Sequence, residues 1–444
     1  MTIRGLPVAL GGRPVRTEGF RRTPEVGTRE VLYTAAQIGC GSWEPAPENL
    51  GVAVASGLTV PEVVAEFLGG ELGALAAEFV AIQAPDQDVV AVPLNNGTHA
   101  IRVILAALTK VAPELGLRTP NVDGDEVIVP AMTWQATAGA ALRRNLVPVL
   151  VDVEPGTLCI DPEAFRAAIT DRTVAIVPVH LYNRMANMEE ILAIAEPLGI
   201  AVIEDCAHAH GAVYRGQGAG TLGVAGTFSM QGSKSLSSQE GGFVLAKHPP
   251  LVDQLCSLVT CGRAVGSSQL LQADNDRMAG IIAALARAQL IRFVEQNMLR
   301  LRTFAELDLV AARSPGIRGL NHQPGDHVPP TYKWPFRVDL DRWMGLTIEQ
   351  IQECLERELG CEFARPYKPL TNSTLYQPLS DPAHSFLWDR VDPARFSAPE
   401  ADRAYEEVLV VEHAAGLDPA FPAAFEEAVH KLLDNAEQLA AELS

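Results

Sequence analysis

The sequence predicts an α/β protein with a large domain on a mostly parallel sheet and a smaller α+β domain at the C-terminal end. Three observations carry this. Between Glu126 and Cys206 the apolar strands EVIVPAM, VPVLVDV, TVAIVPVHL and IAVIEDC alternate with amphipathic helices, the pattern of a parallel sheet covered on both faces. Beyond Leu290 that alternation stops, and a helical region from about Ile281 to Ser314 leads into the strand TYKWPFRVDL, a helix over Thr347–Leu359 and a closing helix over Pro422–Leu443. The 444 residues suffice for two or three domains at about 150 each. The expected divisions are an N-terminal arm over 1–30, a large domain over 31–292 and a small domain over 293–444.

In chain order, glycines and prolines make 1–30 an extended arm, of the kind that often lies over a neighbouring subunit. Residues 61–81 have helical apolar spacing broken at Gly69 and Gly70, which reads as one or two helices. The strand VVAVPL runs into Asn95–Leu108, a turn opening a helix; its first amides suit an anion, or simply an Asn or Thr cap with nothing bound. Helices follow around Thr137–Arg144, from Asp161, and over Met188–Leu198. The strand from Val224 to Met230 turns at Gly232 and delivers Lys234 among Ser229, Ser233, Ser235, Ser237 and Ser238, whose hydroxyls can bind an anion. Gly241 and Gly242 then let the backbone pass close to a ligand before GFVLA resumes as a strand.

In such sheets functional residues gather beyond the carboxyl ends of the strands. Trp134, His180, Tyr182, Asp205, Ser229 and Lys234 all fall there. Lys234 is either a Schiff-base amine or a surface lysine in a serine-rich loop. Asp205 is either a turn cap or a carboxylate that keeps a heteroaromatic nitrogen protonated. Trp134 is either core or a ring that stacks on the same ligand.

With 35 basic and 54 acidic residues the formal charge is −19, which disfavours nucleic acid as a partner. The seven cysteines are scattered without a CxxC pair, so neither a zinc ribbon nor a disulfide scaffold is expected, and reduced thiols in the cytoplasm fit. No apolar run approaches the roughly 20 residues of a membrane span. GAGTLG at Gly218–Gly223 follows a polar stretch and enters a strand, so it reads as a turn and not as a dinucleotide fingerprint. Cys206, His208 and His210 alternate but have no companion ligand cluster; no metal is expected, and His208 remains free to face a ligand.

NNGTHAI, GDEVIVPAMTW, DVEPGTLCID, PVHLY, VIEDCAHAHGA, FSMQGSKSLSSQEGG, CGR, NDRM, YKPL and AYEEVLVVEH occur in that order. Together they resemble the DegT/DnrJ/EryC1/StrS family of pyridoxal-phosphate (PLP) aminotransferases, from about Gly11 to the C-terminus. The resemblance implies fold type I, aspartate-aminotransferase-like, in a homodimer with active sites at the interface. It implies that Lys234 forms the Schiff base and shuttles protons, Asp205 holds the pyridine nitrogen protonated, His208 sits near the ring hydroxyl and Trp134 stacks on the ring. Gly97, Thr98 and Ser229 would bind the phosphate with His99 beside them, and Asn275 would reach the phosphate of the other subunit. The implied reaction moves an amino group from glutamine or glutamate to a keto-sugar or keto-cyclitol of secondary metabolism, most similar to the scyllo-inosose branch. Dehydration, as in the 3-amino-5-hydroxybenzoate synthases, is the alternative with the same cofactor, and a catalytically silent binding partner is the alternative without catalysis. His180, Tyr182, Arg184, Arg263, Tyr332 and Lys333 are the candidates for the substrate side. Departures from the family pattern at Asn183, Arg184, Met185, Gln239, Gly280 and the long region Ile38–Val60 flank that side as well.

Overall fold

The computed structural model describes residues 5–20, 27–39, 70–120, 124–263, 272–324 and 327–443. Most of the Pro/Gly-rich region over 38–60 and the first half of the helical pattern over 61–81 lie outside the described residues.

The large domain opens with α1 (Thr28–Gly39) and α2 (Gly70–Gln83). Strand β1 (Val90–Leu94) leads into α3 (Gly97–Val111). Then β2 (Glu126–Pro130), α4 (Ala136–Leu142), β3 (Val147–Val151), α5 (Pro162–Ala168), β4 (Thr173–Ile176), α6 (Met188–Ala195) and β5 (Ala201–Asp205) follow in strict alternation. A small hairpin, β6 (Val213–Tyr214) and β7 (Gln217–Gly218), precedes β8 (Ala225–Ser229), β9 (Gly242–Ala246) and α7 (Pro249–Val259). The seven-stranded sheet has the order β1-β9-β8-β5-β4-β2-β3. Only β9 runs against its neighbours, β1 and β8. Val, Ile, Leu and Ala fill these strands because helices cover both faces, and strands such as β1, β5 and β9 are buried along their whole length.

Helix α8 (Gly280–Arg313) runs 34 residues and serves two cores. Its Ala283, Ala286, Leu290 and Phe293 join the core of the large sheet, while Phe304, Leu307, Val310 and Ala311 join a second core. That second core backs a four-stranded antiparallel sheet, β10-β12-β14-β13, made of β10 (Ile317–Gly319), β12 (Lys333–Val338), β13 (Phe363–Ala364) and β14 (Val408–Glu412). Strand β11 (His327–Val328) pairs instead with the β6 hairpin strand. Helices α9 (Ile348–Leu359), closed by a Thr347/Gln350 capping box, and α11 (Phe421–Leu433) cover the small sheet; α10 (Pro399–Glu407) enters β14, and α12 (Ala436–Leu443) ends the chain. The expected closing helix over 422–443 is thus two helices, broken between Leu433 and Ala436.

Two features of the packing bear on the domain division and on the arm. Leu370, Tyr376, Ala398, Ala401 and Ala404 belong to the large core, so a single cut at 293 does not describe the packing. The described part of the arm lies on its own small domain. Buried Glu358 accepts the amides of Val8 at 2.7 Å and Val15 at 3.2 Å and pairs with Lys431 at 2.9 Å, and Phe20 meets Phe421 edge to face at 5.1 Å.

Candidate active site

A cavity of ≈ 700 Å³ opens where the carboxyl ends of β5 and β8 meet the start of α3. Lys234 reaches it because β8 ends at Ser229 and the chain turns at once, with the Lys234 amide donating to the Gln231 carbonyl at 2.8 Å. The turn is tied down by the Ser238 amide and the Ser237 hydroxyl, both donating to the Met230 carbonyl at 3.0 and 3.3 Å. Of the five serines expected to offer hydroxyls to an anion, Ser229 and Ser233 line the cavity; Ser235, Ser237 and Ser238 are buried in the loop. Gln239, in the same loop, has φ 75°, the left-handed conformation that favours glycine.

Asp205 ends β5 with its carboxylate buried. One oxygen accepts the Thr137 hydroxyl at 2.9 Å and the other the Ala207 amide at 3.1 Å, which leaves further lone pairs open. Burial pushes its pKa up, against the pull of these donors and of Lys234. Lys234 is its counterpart: burial lowers the amine's pKa, Tyr332 and Asp205 raise it, and Lys333 lowers it further. A buried carboxylate without a full cation and an amine biased to its neutral form are what a protonated ring nitrogen and a reactive carbonyl require.

His208 stacks on Tyr332 at 4.0 Å between ring centroids. Its Nδ1 accepts the Tyr182 amide at 3.1 Å, so the neutral ring carries its proton on Nε2, 3.3 Å from the Tyr367 hydroxyl. Burial, then the charges of Lys234 and Lys333, hold the histidine's pKa well below its usual value. The Tyr182 hydroxyl accepts the Tyr367 amide at 2.8 Å, so Tyr182 supports the wall from behind. Trp134 stands at the rim, 46% exposed and tilted at 5.9 Å to Tyr367. Tyr332, Lys333 and Tyr367 close the far side.

At the opposite end Asn96 caps α3 by accepting the His99 amide at 2.9 Å, and Gly97, Thr98 and Ser229 face the cavity. A Cβ on Gly97 would lie 2.9 Å from the Ser229 Cβ, so the helix start and the strand end form a cradle only glycine permits. Orphan amides, the helix dipole and a serine hydroxyl in one concavity fit a phosphate. His99 lies beside it, its Nδ1 2.9 Å from Asp276.

Several candidates stand elsewhere. His180 is fully buried, with Nδ1 accepting the Ala186 amide at 3.1 Å and Nε2 meeting Glu204 at 3.1 Å. Arg184 is fully buried and bonds Asp308 at 3.0 Å and the Leu320 carbonyl at 2.8 Å; it ties the loop after β4 to α8 and does not line the cavity. Arg263 is exposed and does not line the cavity. Asn275 also lies off the wall, its side-chain Oδ1 accepting from Arg277 Nε at 3.1 Å. His180, Glu204 and Cys206 place ligand-type atoms within 4.8 Å of one another. Both Glu204 oxygens are nonetheless committed, since Oε1 accepts Leu222 and Gly223 amides at 2.7 and 2.8 Å and Oε2 the Gly220 amide at 2.8 Å. GAGTLG is accordingly a turn wrapped around this carboxylate. Thr137, Tyr367 and Glu412 carry weight in the site, but no local pattern gives their roles, since their partners Asp205, His208 and Lys333 lie far along the chain.

Lysine, buried carboxylate and phosphate cradle converging at the carboxyl edge of a mostly parallel sheet define a fold type I PLP enzyme. Residues 69–417 match the DegT/DnrJ/EryC1/StrS aminotransferase family, and the chain belongs to it. It is 37% identical to an L-glutamine:2-deoxy-scyllo-inosose aminotransferase of Streptomyces lividus over 339 residues, 73% of this chain and 77% of that one. It is 36% identical to an L-glutamine:scyllo-inosose aminotransferase of Streptomyces griseus over 366 residues, 78% of this chain and 83% of the other. Among solved structures, 3-amino-5-hydroxybenzoic acid synthase superposes with a TM-score of 0.71, covering 95% of this chain and 98% of that one; at 24% identity this shows the fold alone. The protein is therefore a PLP-dependent aminotransferase.

Proposed function

We propose that the protein transfers the amino group of glutamine to a keto-cyclitol in two half-reactions at the Lys234 cavity. The observation that carries this is the pairing of a family-typical cofactor site with 36–38% identity to aminotransferases named for glutamine and scyllo-inosose or its 2-deoxy form. PLP supplies an electrophilic carbonyl and an electron sink when bound. The chain's residues do the rest. The α3 start with Ser229 would hold the phosphate, Asp205 a proton at the ring nitrogen, and Trp134 would cover the ring, while Lys234 Nζ would take the proton from the donor's α-carbon and, in the second half-reaction, deliver one to the former carbonyl carbon of the acceptor. Tyr332, Tyr367 and His208 offer hydroxyl and ring N–H groups to a polyhydroxy ketone. In this reading the protein works in the cytoplasm as a homodimer, with Asn275 directed at the partner's phosphate site.

The test is the absorption spectrum of purified holoenzyme. Glutamine is expected to bleach the visible band, an inosose-type ketone to restore it, and Lys234→Ala to abolish both responses. Wild-type turnover retained by Lys234→Ala would refute the assignment.

A further inference from the structure

Two lysines face the cavity, and the proposed chemistry has so far used one. Lys333 opens β12 and lies directly across from Glu412 on β14, its Nζ 2.5 Å from the carboxylate. The ammonium stands 5.2 Å from the centroid of the Tyr332 ring, and Lys234 Nζ stands 4.7 Å from the same centroid. One N–H of Lys333 meets Glu412 and a second is directed to the Tyr332 hydroxyl, which leaves one for a ligand.

Around Lys234 the other described polar walls bring no cation: Gln231, Ser233, Tyr332 and Tyr367 offer amide and hydroxyl groups, and Asp205 and Glu240 offer carboxyl groups. His208 is held neutral by burial, and His99 sits at the phosphate end against Asp276. Burial acts to discharge Lys333, but Tyr332 and Glu412 outweigh it and keep the amine protonated. Among the described cavity residues, Lys333 is thus the standing cation once Lys234 is engaged with the cofactor. A polyhydroxy ketone brings no counter-charge to it. An α-amino acid does, because its carboxylate is one carbon from the amine that must enter beside Lys234.

We propose that Lys333 is the anchor for the α-carboxylate of the amino donor. The inference rests on the two-half transamination above, and it makes the two halves separable. Lys333 serves the donor half, while the ketone half relies on the hydroxyl-bearing walls.

The experiment measures both half-reactions spectroscopically in full-length holoenzyme. For Lys333→Met the glutamine concentration at half-saturation should rise about ten- to a hundred-fold, as expected for loss of one charge-assisted contact. Half-saturation by ketone should stay within a few-fold, and Lys333→Arg should recover most of the donor half. Equal losses in both halves, or a failure of Lys333→Arg to recover the donor half, would overturn the proposal in favour of a purely structural ion pair. If wild-type enzyme ignores glutamine but responds to another α-amino acid, the glutamine assignment fails, and the same comparison with that donor decides Lys333. No response to any α-amino acid overturns both.

Discussion

Replacing Glu204 by Gln is expected to unfold the protein at much lower temperature. The Glu204 carboxylate is fully buried beneath the site and meets four N–H donors, from Gly220, Leu222, Gly223 and His180. A glutamine of the same shape offers one oxygen and one NH2 group. Turned one way, the NH2 confronts the Gly220 amide; turned the other, it confronts those of Leu222 and Gly223. In either pose at least one buried backbone donor loses its acceptor, at about 1–3 kcal/mol, and the remaining bonds lose their charge assistance. The sum is about 3–5 kcal/mol, in the range found when a buried charged group is removed from its partners. At roughly 2–4 °C per kcal/mol for a domain of this size, Tm should fall by about 10 °C. Scanning calorimetry of the holoenzyme measures this directly. A shift under about 2 °C would refute the reasoning, because it would mean that the Gly218–Gly223 turn is held by something other than this carboxylate.

Arg184→Met should cost about 3–5 kcal/mol by leaving Asp308 short of its buried partner, while ketone half-saturation at permissive temperature stays near wild type; a selective rise in that constant would return Arg184 to the substrate side. Gly97→Ala should weaken retention of PLP about tenfold or more, read by dialysis and absorbance, since its methyl would press on the Ser229 Cβ and the backbone behind it. Stability should fall on acidification below about pH 6.5. Burial pushes His210 and His413 down to about 3, so the unfolded chain binds protons that the native chain does not, and each residue contributes a loss of up to about 1.4 kcal/mol per pH unit until the native form also protonates near pH 3. His210→Phe, in a pocket formed by Phe79, Phe228 and Phe293, should flatten one share of that slope in pH-resolved denaturant titrations.

What the sequence disclosed and what it hid divide along one physical line. Strands such as Val147–Val151 and Ala201–Asp205 are legible because burial on both faces demands uninterrupted apolar residues, and Lys234 and Asp205 are legible because each stands at the end of such a run. The position of a strand end says nothing about the direction of a side chain one or two residues further on. His180 and Tyr182 follow the same strand, yet one turns inward to Glu204 and the other supports Tyr367, and Arg184 turns away to Asp308 on α8, 124 positions along the chain. The same holds for the walls. Tyr367 is brought to His208 across 159 positions and Glu412 to Lys333 across 79, by pairing of the small sheet and by its packing on the large one. Local pattern thus locates the residues proposed to hold the cofactor, which cluster at strand ends and one helix start. The substrate side is assembled from separate domains, and its chemistry becomes readable only when both sheets are in place.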